Sequence, residues 1–134
     1  MCGLHHIQFL VTDLDESLTW FQRVFGVRYQ PELDHHDAAG ARFAIMMTMP
    51  GLEFPVQLRY SPDPGSVVAG YRPITFGVAD VAELRRWCTH LDECGIAHSG
   101  MQQARVGQTV DFSSPDGTTM RLYTLPVDGV EFSE

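Results

Sequence analysis

Two stretches of this chain nearly repeat each other. Residues 6–26 begin His6-Ile7-Gln8-Phe9-Leu10-Val11-Thr12-Asp13-Leu14 and pass through a helix-like segment with Trp20 to Gly26. Residues 73–95 begin Pro73-Ile74-Thr75-Phe76-Gly77-Val78-Ala79-Asp80-Val81 and pass through a second such segment with Trp87 to Gly95. Phe9 and Phe76, Val11 and Val78, Asp13 and Asp80, and Trp20 and Trp87 are each offset by half of the 134 residues. A unit repeated in tandem implies two like modules stacked around a shared concave surface, and function is to be sought on that surface. The copies differ at one place that matters for chemistry: His6 in the first is Pro73 in the second.

The length suits a single domain, residues 1–134, able to bury a core without disulfides or metal. A net charge of -8 argues against nucleic acid as a partner, because phosphate binding needs clustered Lys and Arg, and the nine basic residues are scattered. Cys2, Cys88 and Cys94 are odd in number and fit no CxxC or zinc-ribbon spacing, so reduced structural thiols in a cytoplasmic protein are expected. There is no apolar run of about 18 residues and no basic-then-apolar N-terminus, so neither a membrane partner nor a leader is expected.

Residues 4–11 are apolar-rich, and Thr12-Asp13-Leu14-Asp15 supplies the chemistry of a helix start. Leu14, Leu18, Phe21 and Phe25 then recur at helical spacing up to Gly26, a natural stop. Strands are expected at about 27–34, 41–49 and 53–60, with His35-His36-Asp37-Ala38-Ala39-Gly40 as a solvated loop and Pro50-Gly51 as a turn. Residues 61–72, with Pro62, Pro64 and Gly65, form a linker. The second half repeats the order: a strand over 73–79, a helix over about 81–94, and strands over about 97–103, 107–113 and 118–124. Ser114-Pro115-Asp116-Gly117 makes the last tight turn, and 125–134 form an acidic tail. The expected fold is α+β: two tandem β-α-β-β-β modules, about 3–60 and 73–124, making a concave mixed-sheet cleft.

This paired β-α-β-β-β order, with its V-x-D-L and V-x-D-V strand-to-helix turns and an S-P-D-G turn before an R-L-Y strand, resembles the vicinal oxygen chelate superfamily. That group includes glyoxalase I, fosfomycin-resistance enzymes, extradiol dioxygenases and bleomycin-resistance proteins. The resemblance covers nearly all of residues 3–125. It implies a cleft between modules and a twofold homodimer, but it does not select an activity, since the fold hosts catalysts and plain ligand binders alike.

Strand alternation assigns the cleft side chains. With Ile7, Phe9 and Val11 under the helix, His6, Gln8 and Leu10 face inward. With Val56 and Leu58 in the core, Pro55, Gln57 and Arg59 face inward. Thr75 and Gly77 follow in the second module, then Thr119, Arg121 and Tyr123. Strand pairing adds Ala44, Met46, Thr48, Thr109 and Asp111. Metal enzymes of the family draw ligands from four positions that correspond here to His6, Gln57, Pro73 and Arg121. His6 is a proper ligand and Gln57 a weak amide donor. Pro73 offers nothing, and Arg121 brings a positive charge. Divalent ions need convergent imidazole, carboxylate or thiolate groups. At about 4 Å a guanidinium repels such an ion by on the order of several kcal/mol. No cofactor is therefore expected, with a divalent metal held by His6, Gln57 and a rescuing carboxylate such as Asp111 as the alternative.

Several residues have two readings. His6 is either an acid–base or hydrogen-bonding group in the cleft, the one catalytic candidate, or a strand-edge histidine bonded to a neighbour. Arg121 either pairs with Asp111 across the ladder or receives a carboxylate, phosphate or acidic phenol. Arg59 can act likewise. Met46, Met47 and Met49 with Phe54, Tyr60, Tyr71 and Tyr123 make either an adaptable wall or ordinary core. His90 and His98 lack sequence partners and read as structural, and Trp20 and Trp87 as packing between helix and sheet. The leading expectation is a metal-independent binder of an aromatic or amphipathic metabolite or antibiotic, using His6, Gln8, Met46, Gln57, Arg59, Thr75, Asp111, Arg121 and Tyr123. The alternative is a glyoxalase-like lyase or isomerase, or a dioxygenase-like enzyme, metal-dependent or using His6 as base and Arg121 as oxyanion partner.

Overall fold

Asp13 and Asp80, matched by the repeat, perform the same local task. Asp13 sits in extended backbone (φ -145°, ψ 111°) and its carboxylate accepts the Glu16 N–H at 2.9 Å, starting α1 (Leu14–Phe25). Asp80 starts α2 (Val81–Glu93) by accepting the Glu83 N–H at 2.8 Å. The Glu83 carboxylate in turn accepts the Ala79 N–H, so two otherwise unpaired donors are satisfied reciprocally. Gly26 ends α1 at φ 67°, a left-handed geometry cheap only for glycine, with its N–H on the Gln22 carbonyl at 3.0 Å.

The computed structural model describes residues 1–63 and 68–125. The chain divides after Val68 into two compact units. In the first, β1 (Ile7–Val11) leads through α1 to β2 (Arg28–Tyr29), a 3-10 turn (Pro31–Leu33), β3 (His35–His36), β4 (Arg42–Thr48) and β5 (Val56–Tyr60). The sheet order is β1-β5-β4-β2, with β3 also on β4. In the second, β6 (Thr75–Val78) leads through α2 to β7 (Gln102–Gln103), β8 (Gln108–Ser113) and β9 (Thr119–Thr124), in the order β6-β9-β8-β7. In each unit the first and last strands pair in parallel and the rest antiparallel. Both sheets are thus mixed, and each unit is the expected β-α-β-β-β module with one short extra strand in the first.

Each helix buries one stripe against its own sheet. Leu14, Leu18, Phe21 and Phe25 are buried on α1, with the Phe9 and Phe21 rings 5.5 Å apart. Beneath them Ile45, Met47, Val56 and Leu58 have no exposed surface. On α2 Leu84 and Leu91 are fully buried, and Val110, Met120 and Leu122 supply the sheet side. Trp20 and Trp87 are only half-buried: Trp20 lies edge-on to Phe21 and Phe25, and Trp87 edge-on to His90.

Three elements differ from the sequence reading. The strand expected at 27–34 survives only as Arg28–Tyr29, since Pro31 has no N–H for a ladder and opens a 3-10 turn instead. His35 and His36 pair with Ala44 and Arg42, so the loop shrinks to 37–41, where the Asp37 carboxylate accepts the Ala39 and Ala41 N–H groups at 2.9 and 3.0 Å. The strand expected at 97–103 is reduced to Gln102–Gln103 and one bridge from His98 to Phe112, interrupted by Gly100 at φ 70°. Residues 64–67 of the expected linker and 126–134 of the expected tail lie outside the described residues. Tyr71 belongs to the second unit, its carbonyl accepting the Thr119 N–H at 2.9 Å. Among the described residues no helix is long and apolar enough to cross a membrane.

Candidate functional site

The pleat decides which side chains a sheet offers on the side away from its helix. In the first unit the register sets Gln8 beside Gln57 beside Met46, and Leu10 beside Arg59 beside Ala44. All lie on the face opposite the core residues Phe9, Leu58 and Ile45. Ala44, Met46 and Gln57 are nonetheless buried, at 0, 7 and 6% exposure, while Gln8 and Arg59 are exposed. The Gln57 side-chain amide has no hydrogen-bond partner among the described residues. Its amide is not among the fully buried unpaired polar atoms, so it keeps access to solvent and stays available to bond a ligand. Arg59 is held near the Phe43 ring, its Cζ 5.1 Å from the centroid. His6 is exposed just ahead of β1, and its Nδ1 lies 2.8 Å from the Nδ1 of His5, a bond in which one imidazole donates and the other accepts.

In the second unit the register sets Thr75 beside Arg121 beside Asp111, and Gly77 beside Tyr123 beside Thr109. Arg121 donates through Nε and Nη2 to the two Asp111 oxygens at 2.7 and 2.8 Å, a bidentate pair with both side chains about a quarter exposed. Hydrogen bonding from Arg121 holds the Asp111 carboxyl below the usual carboxylate range against the opposing effect of burial, and Asp111 in turn raises Arg121. The two residues pair across the ladder, and the pair leaves Arg121 Nη1 unused. Arg72 adds a second guanidinium, its Nη1 4.0 Å from Asp111 Oδ2. The Tyr123 hydroxyl accepts the Val106 N–H at 3.2 Å, which ties it to the β7–β8 turn. Asp111, Ser113 and Thr119 also border an open hollow of about 550 Å³ with Ile96, Ala97, His98 and Phe112.

Other groups show what sequence reading missed. His98 has partners after all: the Gly100 N–H donates to its Nδ1 at 3.1 Å, which leaves Nε2 to donate to Asp92 at 2.8 Å. His90 Nε2 lies 3.8 Å from Cys94 Sγ. Burial, with help from Asp92, pushes the Cys88 thiol up. Tyr29, Asp34 and Arg42 form a cluster in which the tyrosine hydroxyl donates to Asp34 and accepts from Arg42 at 3.1 Å. Burial and Asp34 together raise the Tyr29 phenol. Asp34 Oδ1 is buried without a partner among the described residues. Nothing in the sequence links positions 29, 34 and 42. Arg72 carried a weak signal, adjacency to Pro73, hidden by its place in an apparent linker.

The positions that the family resemblance implies for a metal are poorly suited to one. Arg121 is locked in place by Asp111, and both Asp111 oxygens are engaged by Arg121, so this carboxylate is not free to rescue a cation site. Pro73 has no donor, and His6 shares its Nδ1 with His5. Among the described residues no three His, Cys, Asp or Glu side chains are grouped to hold a metal ion.

No curated protein sequence matches the chain. Solved structures resemble it in fold. The fosfomycin resistance protein FosX from Listeria monocytogenes, complexed with Mn(II) and sulfate, aligns with a TM-score of 0.72 at 17% identity, covering 96% of each chain. The antibiotic binding protein TnmS3 from Streptomyces sp. CB03234 aligns at 0.72 and 21% identity, covering 92% of this chain and 96% of that one. A glyoxalase/bleomycin resistance protein/dioxygenase domain from Frankia sp. EAN1pec aligns at 0.71 and 20% identity, covering 92% and 98%. A family model matches residues 3–122, and with it the two β-α-β-β-β units are accounted for: the chain belongs to the Glyoxalase/Bleomycin resistance protein/Dioxygenase superfamily.

Proposed function

We propose that this protein is a metal-independent small-molecule binder that sequesters an aromatic or amphipathic metabolite or antibiotic. The observation that carries the reading is Arg121, fixed by a bidentate bond to Asp111 at a position where the family resemblance implies a metal ligand. A permanent cation held in that position disfavours a divalent ion and favours a ligand recognised by hydrogen bonds and apolar contact. Gln57, a largely buried residue beside Met46 whose side-chain amide bonds no other described residue, supports the same reading, as a polar anchor next to an adaptable apolar side chain. Similarity to an antibiotic binding protein is consistent with it. The reading includes the homodimer expected from the family, which light scattering on the purified protein checks.

Fluorescence titration, using Trp20 and Trp87 as reporters against a panel of planar drugs, tests the proposal together with elemental analysis of chelator-free protein. Saturable binding without stoichiometric metal is expected. No binding up to high micromolar concentration, or near-stoichiometric Mn, Fe, Ni or Zn, overturns it.

A further inference from the structure

We infer that the second unit carries an anion subsite, formed by Arg72 and Arg121 across Asp111, and that the ligand sequestered by this protein bears a carboxylate, sulfonate or phosphonate group. The inference rests on the ligand-binding reading above and specifies the ligand's charge. Two guanidiniums approach one carboxylate. Arg121 spends Nε and Nη2 on Asp111, leaving Nη1 without a partner among the described residues, and Arg72 reaches the same Asp111 Oδ2 only at 4.0 Å. The cluster therefore carries one more positive charge than Asp111 neutralises, in a protein whose net charge is -8. Against that background an anion gains little from the whole-molecule field, so its recognition must be local. Arg121 is pre-oriented by its bidentate bond, so binding an anion to its outer nitrogen costs little further ordering. Thr75, beside Arg121 on β6 and exposed, adds a hydroxyl on the same face.

The test uses 8-anilinonaphthalene-1-sulfonate and the same ring system without the sulfonate, N-phenyl-1-naphthylamine, titrated into the full-length protein by fluorescence. The sulfonate is expected to bind at least tenfold more tightly than the neutral compound. Arg72→Gln leaves the Arg121–Asp111 pair in place and is expected to lower the sulfonate's affinity about tenfold more than that of the neutral probe. A thermal melt of the variant checks that it folds. Equal affinities for the two probes, or equal losses for both in the variant, overturn the inference while leaving the ligand-binding reading standing. Failure of both probes to bind up to high micromolar concentration removes the ligand-binding reading and the subsite with it.

Discussion

Breaking the Asp111–Arg121 pair is the sharpest test of how the second sheet is held. The two bonds, 2.7 and 2.8 Å, are both charge-assisted, and a hydrogen bond to a charged group contributes about 1.5–3 kcal/mol when well enclosed. Each side chain is about a quarter exposed, so water replaces part of what is lost. Asp111→Ala should therefore cost about 2 kcal/mol, or a fall in melting temperature of about 8 °C for a domain of this size. Arg121→Ala should cost a similar amount. If the pair is one unit, the double variant costs less than the two singles together, with a coupling of about 1–2 kcal/mol. Urea denaturation of the four proteins at pH 7 measures this. The pH dependence follows from the direction of the Asp111 shift. Its folded pKa lies below the unfolded value, so its stabilisation is fully present above the unfolded carboxyl pKa of about 3.9 and is lost as pH falls through the lower folded value. The gap between wild type and Asp111→Ala should stay flat from pH 7 to about pH 5 and narrow only below about pH 4. Additivity within about 0.3 kcal/mol, or a gap already closing at pH 6, would refute the reasoning.

Leu84→Ala, at a position with no exposed surface under α2, should destabilise by about 2–5 kcal/mol in the same assay. Asp80→Ala removes the acceptor of the Glu83 N–H and loosens the reciprocal bond to Ala79, so a loss of about 1–2 kcal/mol is expected in urea melts. Gln57→Leu replaces a largely buried side chain, whose amide bonds no other described residue, with an apolar one of similar size. Stability should hold or rise by up to about 1 kcal/mol, while affinity for whichever planar drug binds the wild type falls at least fivefold. Cys88, with its thiol pushed up by burial, should be the slowest of the three cysteines to react with a thiol-specific chromogen at pH 7.5, and exposed Cys2 the fastest.

The matched segments around Asp13 and Asp80 were readable because capping and amphipathic periodicity are local: an Asp followed three residues later by Glu starts a helix whatever surrounds it. The same holds for the long strands, where apolar alternation separated Val56 and Leu58 from Gln57 and Arg59, and Met120 and Leu122 from Arg121. The short strands were misread because their existence depends on a partner. Arg28–Tyr29 and Gln102–Gln103 are ladder fragments held by β4 and β8, and Pro31 and Gly100 end them through backbone geometry that hydrophobic pattern does not register.

Sequence alone determined the repeat, the family architecture and the chemical types placed at the implied ligand positions, since these follow from residue identity and spacing along the chain. Tertiary structure decided what those residues do. It paired Arg121 with Asp111, gave His6 the neighbouring His5 as a partner and left the Gln57 amide with no bond to another described residue. It also brought Arg72 out of an apparent linker to the Asp111 carboxylate. Charge and hydrogen-bond partnership act through space over a few ångströms, and residues that far apart in the chain become neighbours only once the strands have paired.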